Sequence, residues 1–152
     1  SPQTGWLVMR SLETLAIRMR RQAENAQIVA SFLSTHPKVE SVAYLGLLRE
    51  GDTGYDVYER QCVGPGSMVT FHVRGAEHEA FRLLDSFELI HLAVSLGSTE
   101  SLAEHPASMT HAGVDPDTKT SLGIDDSLIR LSVGVEDPHD LIADLTHALK
   151  FV

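Results

Sequence analysis

Between residues 12 and 33, Leu12, Leu15, Met19, Ala23, Ala26, Ala30 and Leu33 recur at steps of three and four, which predicts one long amphipathic helix. Arg18, Arg20, Arg21, Gln22 and Glu24 fall mostly off that stripe. Residues 3–10 (QTGWLVMR) read as a separate short helix, with Ser11 placed to cap the long one. His36-Pro37 ends it, because the residue before a proline is pushed out of the helical region. The period then changes to two. In 68-MVTFHV-73 the apolar set is Val69, Phe71 and Val73, in 89-LIHLAVSL-96 it is Ile90, Leu92, Val94 and Leu96, and in 128-LIRLSVGV-135 it is Ile129, Leu131, Val133 and Val135. Each reads as a half-buried strand, and 39-VESVAYL-45 as a weaker fourth.

Helical signals lie between and after these strands. Ala80, Phe81, Leu84 and Phe87 share one face of 77–87, and 137-DPHDLIADLTHALK-150 opens on an Asp cap with proline at the first helical position. The sum predicts an α+β class: a mostly antiparallel sheet of about four strands with helices on one face, preceded by a long N-terminal helix. Segment 46–66 reads as mainly loop, with a short helix at Tyr55–Arg60 and a Gly64-Pro65-Gly66 turn.

Composition narrows the class. The 152 residues suit one ordinary domain, and 43% hydrophobic with 22% charged residues suits a globular chain. A net charge of −9, with basic residues concentrated from Arg10 to Arg21, argues against nucleic acid as a partner. No apolar run approaches the roughly 20 residues that span a bilayer, and no signal-peptide pattern is present, so a cytoplasmic protein without a membrane partner is expected. Cys62 is the single cysteine, which excludes an internal disulfide. The chain begins at Ser1 inside helix-forming sequence, and a piece of something longer is expected.

If the apolar residues of the strands face the helices, the other face carries Thr70, His72, His91, Ala93, Ser95, Arg130, Ser132 and Gly134. A guanidinium on a rigid strand can give a carboxylate or phosphate two parallel hydrogen bonds, so Arg130 is the sharpest candidate on it. A surface or interdomain arginine is the alternative that spacing leaves open. Ser95, before Gly97, could bring its hydroxyl and N–H to the same anion. His105 and His111 flank Pro106 without a zinc-type spacing, so they read as hydrogen-bonded loop histidines. No paired base is identifiable for Cys62, which reads as an inert thiol.

The strings 94-VSLGSTESLAEHPASMTH-111 and 123-GIDDSLIRLSVGVEDPHDLIADLTHALK-150 resemble the C-terminal region of the pyridoxal-phosphate enzymes of cysteine and methionine metabolism. That family includes cystathionine γ-synthase, the cystathionine lyases and methionine γ-lyase. The start, 1-SPQTGWLVMRSLETLAIRMRRQAENA-26, is similar to the segment leading from the family's cofactor domain into its C-terminal one. The resemblance implies a linking helical segment at 1–36, a small C-terminal α+β domain at 37–152, and a large cofactor-binding domain outside this chain. It implies that Arg130, in the LIRLSVG motif, grips the α-carboxylate of an amino-acid substrate, and that Ser95, in the SLG motif, lies in the same pocket. A gripped carboxylate sets the bond to be broken at Cα against the cofactor ring.

Val94, just before that serine, resembles the apolar residue of methionine γ-lyases rather than the glutamate of many synthases and cystathionine γ-lyases. The expectation is a γ-elimination from methionine or a related sulfur amino acid, giving a thiol, a 2-oxo acid and ammonia. Cystathionine γ-synthase, cystathionine γ-lyase and O-acyl-homoserine sulfhydrylase activities are the alternatives within the family. A free-standing amino-acid-binding regulatory module and a ligand-free dimerisation domain are the alternatives outside it. The family's R-G-L-K-T-L reads 10-RSLETL-15 here, so pairing at the start of the long helix should differ. The cofactor lysine, the stacking tyrosine and the aspartate for the pyridine nitrogen are expected in the large domain. This chain alone should therefore be inactive, and the intact protein, like its family, should form a homotetramer.

Overall fold

The computed structural model describes residues 1–152. Helix α1 spans Pro2–Leu12, with the Ser1 hydroxyl accepting from the Thr4 N–H and proline at its first position. Helix α2 spans Leu15–Thr35. Ser11 does not cap it. It lies inside α1 and donates its hydroxyl to the Leu7 carbonyl, 2.9 Å away, as a mid-helix serine does. The residue at the cap is Thr14, whose hydroxyl instead accepts from Arg18 Nε.

The apolar stripe of the long helix holds only in its second half. Ala26, Ala30 and Leu33 are buried together with Val29, whereas Leu12, Leu15 and Met19 are exposed. Gln22, expected off the stripe, is fully buried along with Asn25. Their amides explain the burial. Gln22 donates to the Ser98 carbonyl at 2.6 Å, and Asn25 donates to the carbonyls of Gly134 and Glu136 at 3.1 and 2.8 Å. This polar section of α2 pins two turns that have no strand partner of their own.

The sheet has five strands rather than about four: β1 (Val39–Ala43), β2 (Met68–Val73), β3 (His91–Leu92), β4 (Leu102–Glu104) and β5 (Leu128–Ser132), in the order β1-β2-β5-β4-β3. The pairs β1–β2, β2–β5 and β4–β5 are antiparallel, and β3–β4 is parallel. Burial alternates along β2, with Val69, Phe71 and Val73 inside. Ile129, Leu131 and Val133 join them in the core, each fully buried side chain of this kind contributing roughly 1.5–3 kcal/mol.

The strand expected over 89–96 is a correction. Its ladder amounts to β3 and one more bond, Ala93 N–H to the Ala103 carbonyl, because the partner β4 is only three residues long. Ile90, just before β3, is buried and Leu92 within it is exposed; beyond it the chain leaves the sheet, with Val94 and Leu96 exposed.

Helix α3 (Tyr55–Gln61) falls where the short helix is expected. Helix α4 (Glu77–Asp85) buries Ala80, Leu83 and Leu84, while Phe81 turns outward and sets its ring edge-on to His105 at 5.0 Å. Helix α5 (Pro116–Ser121), opened by an Asp115 cap, is one the hydrophobic pattern does not announce. Helix α6 (Pro138–Ala148) starts on Asp137, which accepts from the His139 N–H at 2.8 Å. One core joins the strands to α2, α4 and α6. No helix is long and apolar enough to cross a membrane.

Candidate functional site

The register of β5 places Arg130 opposite Thr70 of β2 on one side and Glu104 of β4 on the other. The guanidinium does not lie free on the polar face. Its Nη1 stands 2.8 Å from Glu104 Oε1, and its Nη2 donates to the Ser95 carbonyl at 3.1 Å. The arginine side chain keeps 23% of its surface exposed and the glutamate 1%. Thr110 Oγ1 donates to the same Glu104 oxygen at 3.1 Å. Glu104 Oε2 and Arg130 Nε are both buried without a partner.

Ser95 reaches Arg130 because the chain leaving β3 folds back over the sheet through Gly97, whose φ of 74° belongs to glycine. The Gly97 N–H donates to Ser132 Oγ at 3.1 Å, and the neighbouring Ser98 carbonyl is held by Gln22. On the next turn, the Glu136 carboxylate accepts from the Ser101 N–H and hydroxyl, and Ser101 Oγ accepts from the Gly134 N–H at 2.8 Å. Any Cβ at Gly134 would collide with the Thr99 carbonyl, so only glycine lets the two turns close on each other. The backbone that carries Ser95 is thus fixed from α2, from β5 and from the turn after it.

Arg130 and Ser95 are brought together, but through the serine carbonyl rather than its hydroxyl or N–H. Both of those groups remain on an exposed residue. Val94 is adjacent and 52% exposed. His105 is buried between Ser108 Oγ at 2.7 Å and the Asp126 carbonyl at 2.9 Å, which accounts for both ring nitrogens. His111 is bonded by the Thr110 hydroxyl. Cys62 is exposed. On the far side of the same sheet face, His72 sits between Ser41 Oγ at 3.0 Å and Asp125 at 3.5 Å.

Glu104 is the residue that pattern reading passes over. Its signal is a lone acid in 102-LAEHPA-107, a stretch whose other members are apolar, small or ring-bearing and are all buried here. A carboxylate in such company needs a cation, and Arg130 supplies it.

The arrangement offers an oriented, partly exposed cation on a rigid strand, which could take one carboxylate of a small molecule. It does not fit the whole of a pyridoxal-type group. An aldehyde cofactor needs an amine, and Lys38 donates to the Val152 carbonyl while Lys119 donates to that of Ala107. Lys150 lies in the last helical turn. None of the three is on a strand of the sheet.

The fold is an α+β layer whose sheet holds one clamped, partly exposed guanidinium, that of Arg130. The model of the Cys/Met metabolism PLP-dependent enzyme family matches residues 1–150, and the chain belongs to that family. It is 44% identical to an L-methionine γ-lyase of Fusobacterium nucleatum over 149 residues, covering 98% of this chain and 37% of that protein. It is 47% identical to the cystathionine γ-lyase of Mus musculus over 150 residues, covering 99% and 37%. Among solved structures, the cystathionine γ-lyase CalE6 of Micromonospora echinospora superposes with a TM-score of 0.88 at 43% identity, over 95% of this chain and 37% of that one. The chain therefore spans little more than a third of the relatives it matches.

Proposed function

We propose that residues 1–152 are the substrate-carboxylate-binding part of a pyridoxal-phosphate-dependent lyase acting on sulfur amino acids, with γ-elimination from methionine or a close analogue as the reaction. The observation that carries this is the clamped guanidinium of Arg130 bonded to the carbonyl of Ser95, the residue that follows Val94. On this reading Arg130 takes the α-carboxylate, the Ser95 hydroxyl or N–H adds a donor to it, and the apolar Val94 faces the thioether. A pyridoxal-type cofactor, held outside these residues, would supply the electron sink for the bond broken at Cα, while Arg130 and Ser95 would hold the substrate in place. The residues present here bind and orient, and alone they carry no activity.

Cystathionine γ-lyase activity is the second reading, favoured by the 47% identity to the mouse protein. A distal ammonium is better served by a carboxylate than by a valine wall, which keeps methionine first. The test uses the full-length protein that contains this chain. Arg130→Ala is expected to raise the apparent KM for methionine by on the order of 10- to 100-fold, as loss of a charge-assisted contact does. An unchanged KM removes Arg130 from the site. Val94→Glu is expected to shift the kcat/KM ratio from methionine towards cystathionine, and a ratio that stays put leaves Val94 without a part in substrate choice.

A further inference from the structure

We infer that Glu104 is the positioning residue of this site, acting on Arg130 rather than on substrate; the inference rests on the carboxylate reading of Arg130 above. Glu104 stands in the short strand β4, opposite Arg130 in the antiparallel pair with β5, and its side chain is 1% exposed. A buried carboxylate is costly unless paired and hydrogen-bonded, so its retention calls for a partner that needs it. An arginine–carboxylate pair left to itself frequently closes as two parallel bonds between the fork and both carboxylate oxygens. This one does not. Only Oε1 meets the guanidinium, Oε2 is buried and unpartnered, and Arg130 Nε is likewise buried and unpartnered.

The single contact at Nη1 and the Ser95 carbonyl at Nη2 instead hold the plane of the guanidinium at its two outer nitrogens. Thr110 holds the holder, donating to the same Glu104 oxygen at 3.1 Å. Arg130 is thus fixed in rotamer before any ligand arrives, with its remaining donors unused. Glu104 has an opposing effect as well, because its negative charge weakens the attraction of Arg130 for a second carboxylate. The two effects predict opposite signs on substitution, and that separates them.

The experiment is a double-mutant cycle in the full-length holoenzyme. Glu104→Met keeps the volume and removes the acceptor, and it is expected to lower kcat/KM for the amino-acid substrate by on the order of 10- to 100-fold, mainly through KM. Glu104→Gln keeps an acceptor for Nη1 and is expected to retain activity within about threefold. In an Arg130→Ala background, Glu104→Met should change kcat/KM by less than about twofold. If Glu104→Met does not yield folded protein, Thr110→Val enters the same cycle, with a smaller loss that also vanishes without Arg130. A gain in kcat/KM for both Glu104 variants would make Glu104 a charge brake and overturn the positioning role. A loss that persists undiminished in the Arg130→Ala background would make it purely structural. If Arg130→Ala by itself leaves KM unchanged, the carboxylate reading has failed instead, which is a separate result.

Discussion

Tyr44 shows how one polar atom can tie three elements and set a limit in pH. It is 6% exposed, and its hydroxyl donates to the Gly66 carbonyl at 3.0 Å with the Ala23 carbonyl also within reach at 3.3 Å. The end of β1 is thereby joined to α2 and to the turn before β2. Burial, with a smaller contribution from Tyr58, pushes the phenol up to about 12. The folded state thus keeps a proton that the unfolded chain gives up near pH 10. The stability linked to this proton is complete below about pH 10 and is lost as pH rises towards 12. Tyr44→Phe is expected to cost about 1 kcal/mol in urea unfolding at neutral pH, the net worth of one buried hydrogen bond. Above about pH 10 the gap between the two proteins should narrow, and a gap that stays constant would show that another group titrates.

At the scale of elements, the most informative link is between α6 and the chain entering β3. Asp144, 7% exposed, accepts from the N–H groups of Glu88, Leu89 and Ile90 at 2.8, 3.1 and 2.8 Å. This helix side chain supplies the acceptors that a longer strand would have found in a neighbour, which lets the sheet begin with a two-residue β3. Asp144→Ala should strand three backbone donors and cost about 2–4 kcal/mol in thermal or urea unfolding. A loss below about 0.5 kcal/mol would mean that water replaces the carboxylate and that β3 needs no such anchor.

The same region shows what pattern reading can and cannot see. Helix α6 was legible because Asp137-Pro138 and its apolar spacing agree, and β2 because its period of two runs the full strand. Leu92, Val94 and Leu96 alternate just as well, yet the chain beyond β3 is held by Gln22 at the Ser98 carbonyl and by Ser132 at the Gly97 N–H, partners distant in sequence. Strand β4 has three residues, all buried, and so carries no period at all.

Across the whole molecule, the candidate site divides along the same line. Arg130 and Ser95 stand out because their motifs are long and ordered, whereas Glu104 becomes visible only once β4 and β5 are set in register. A hydrophobic pattern also marks surfaces that this chain leaves uncovered. Helix α1 has no buried residue: Trp6, Leu7, Val8, Met9 and Leu12 are all more than half exposed. Eleven residues with no tertiary cover fall short of the roughly 12–15 that make even a good isolated helix marginal. Its cap at Ser1 and the Arg10 guanidinium over the Trp6 ring at 5.7 Å add local support worth about 1 kcal/mol each at most. In residues 1–152 prepared alone at low concentration, α1 is therefore expected to fray while α2 stays folded, anchored by its buried second half. Trp6 is the chain's only tryptophan and reports on this directly. Its emission should be that of a water-exposed indole and readily quenched by iodide, and amide exchange in α1 should be orders of magnitude faster than at Ala26–Leu33. Raising the concentration should shift the emission to the blue as copies cover one another's apolar helices. Protected α1 amides and a shielded Trp6 in dilute monomer would show that α1 holds contacts to its own chain that this structure does not contain.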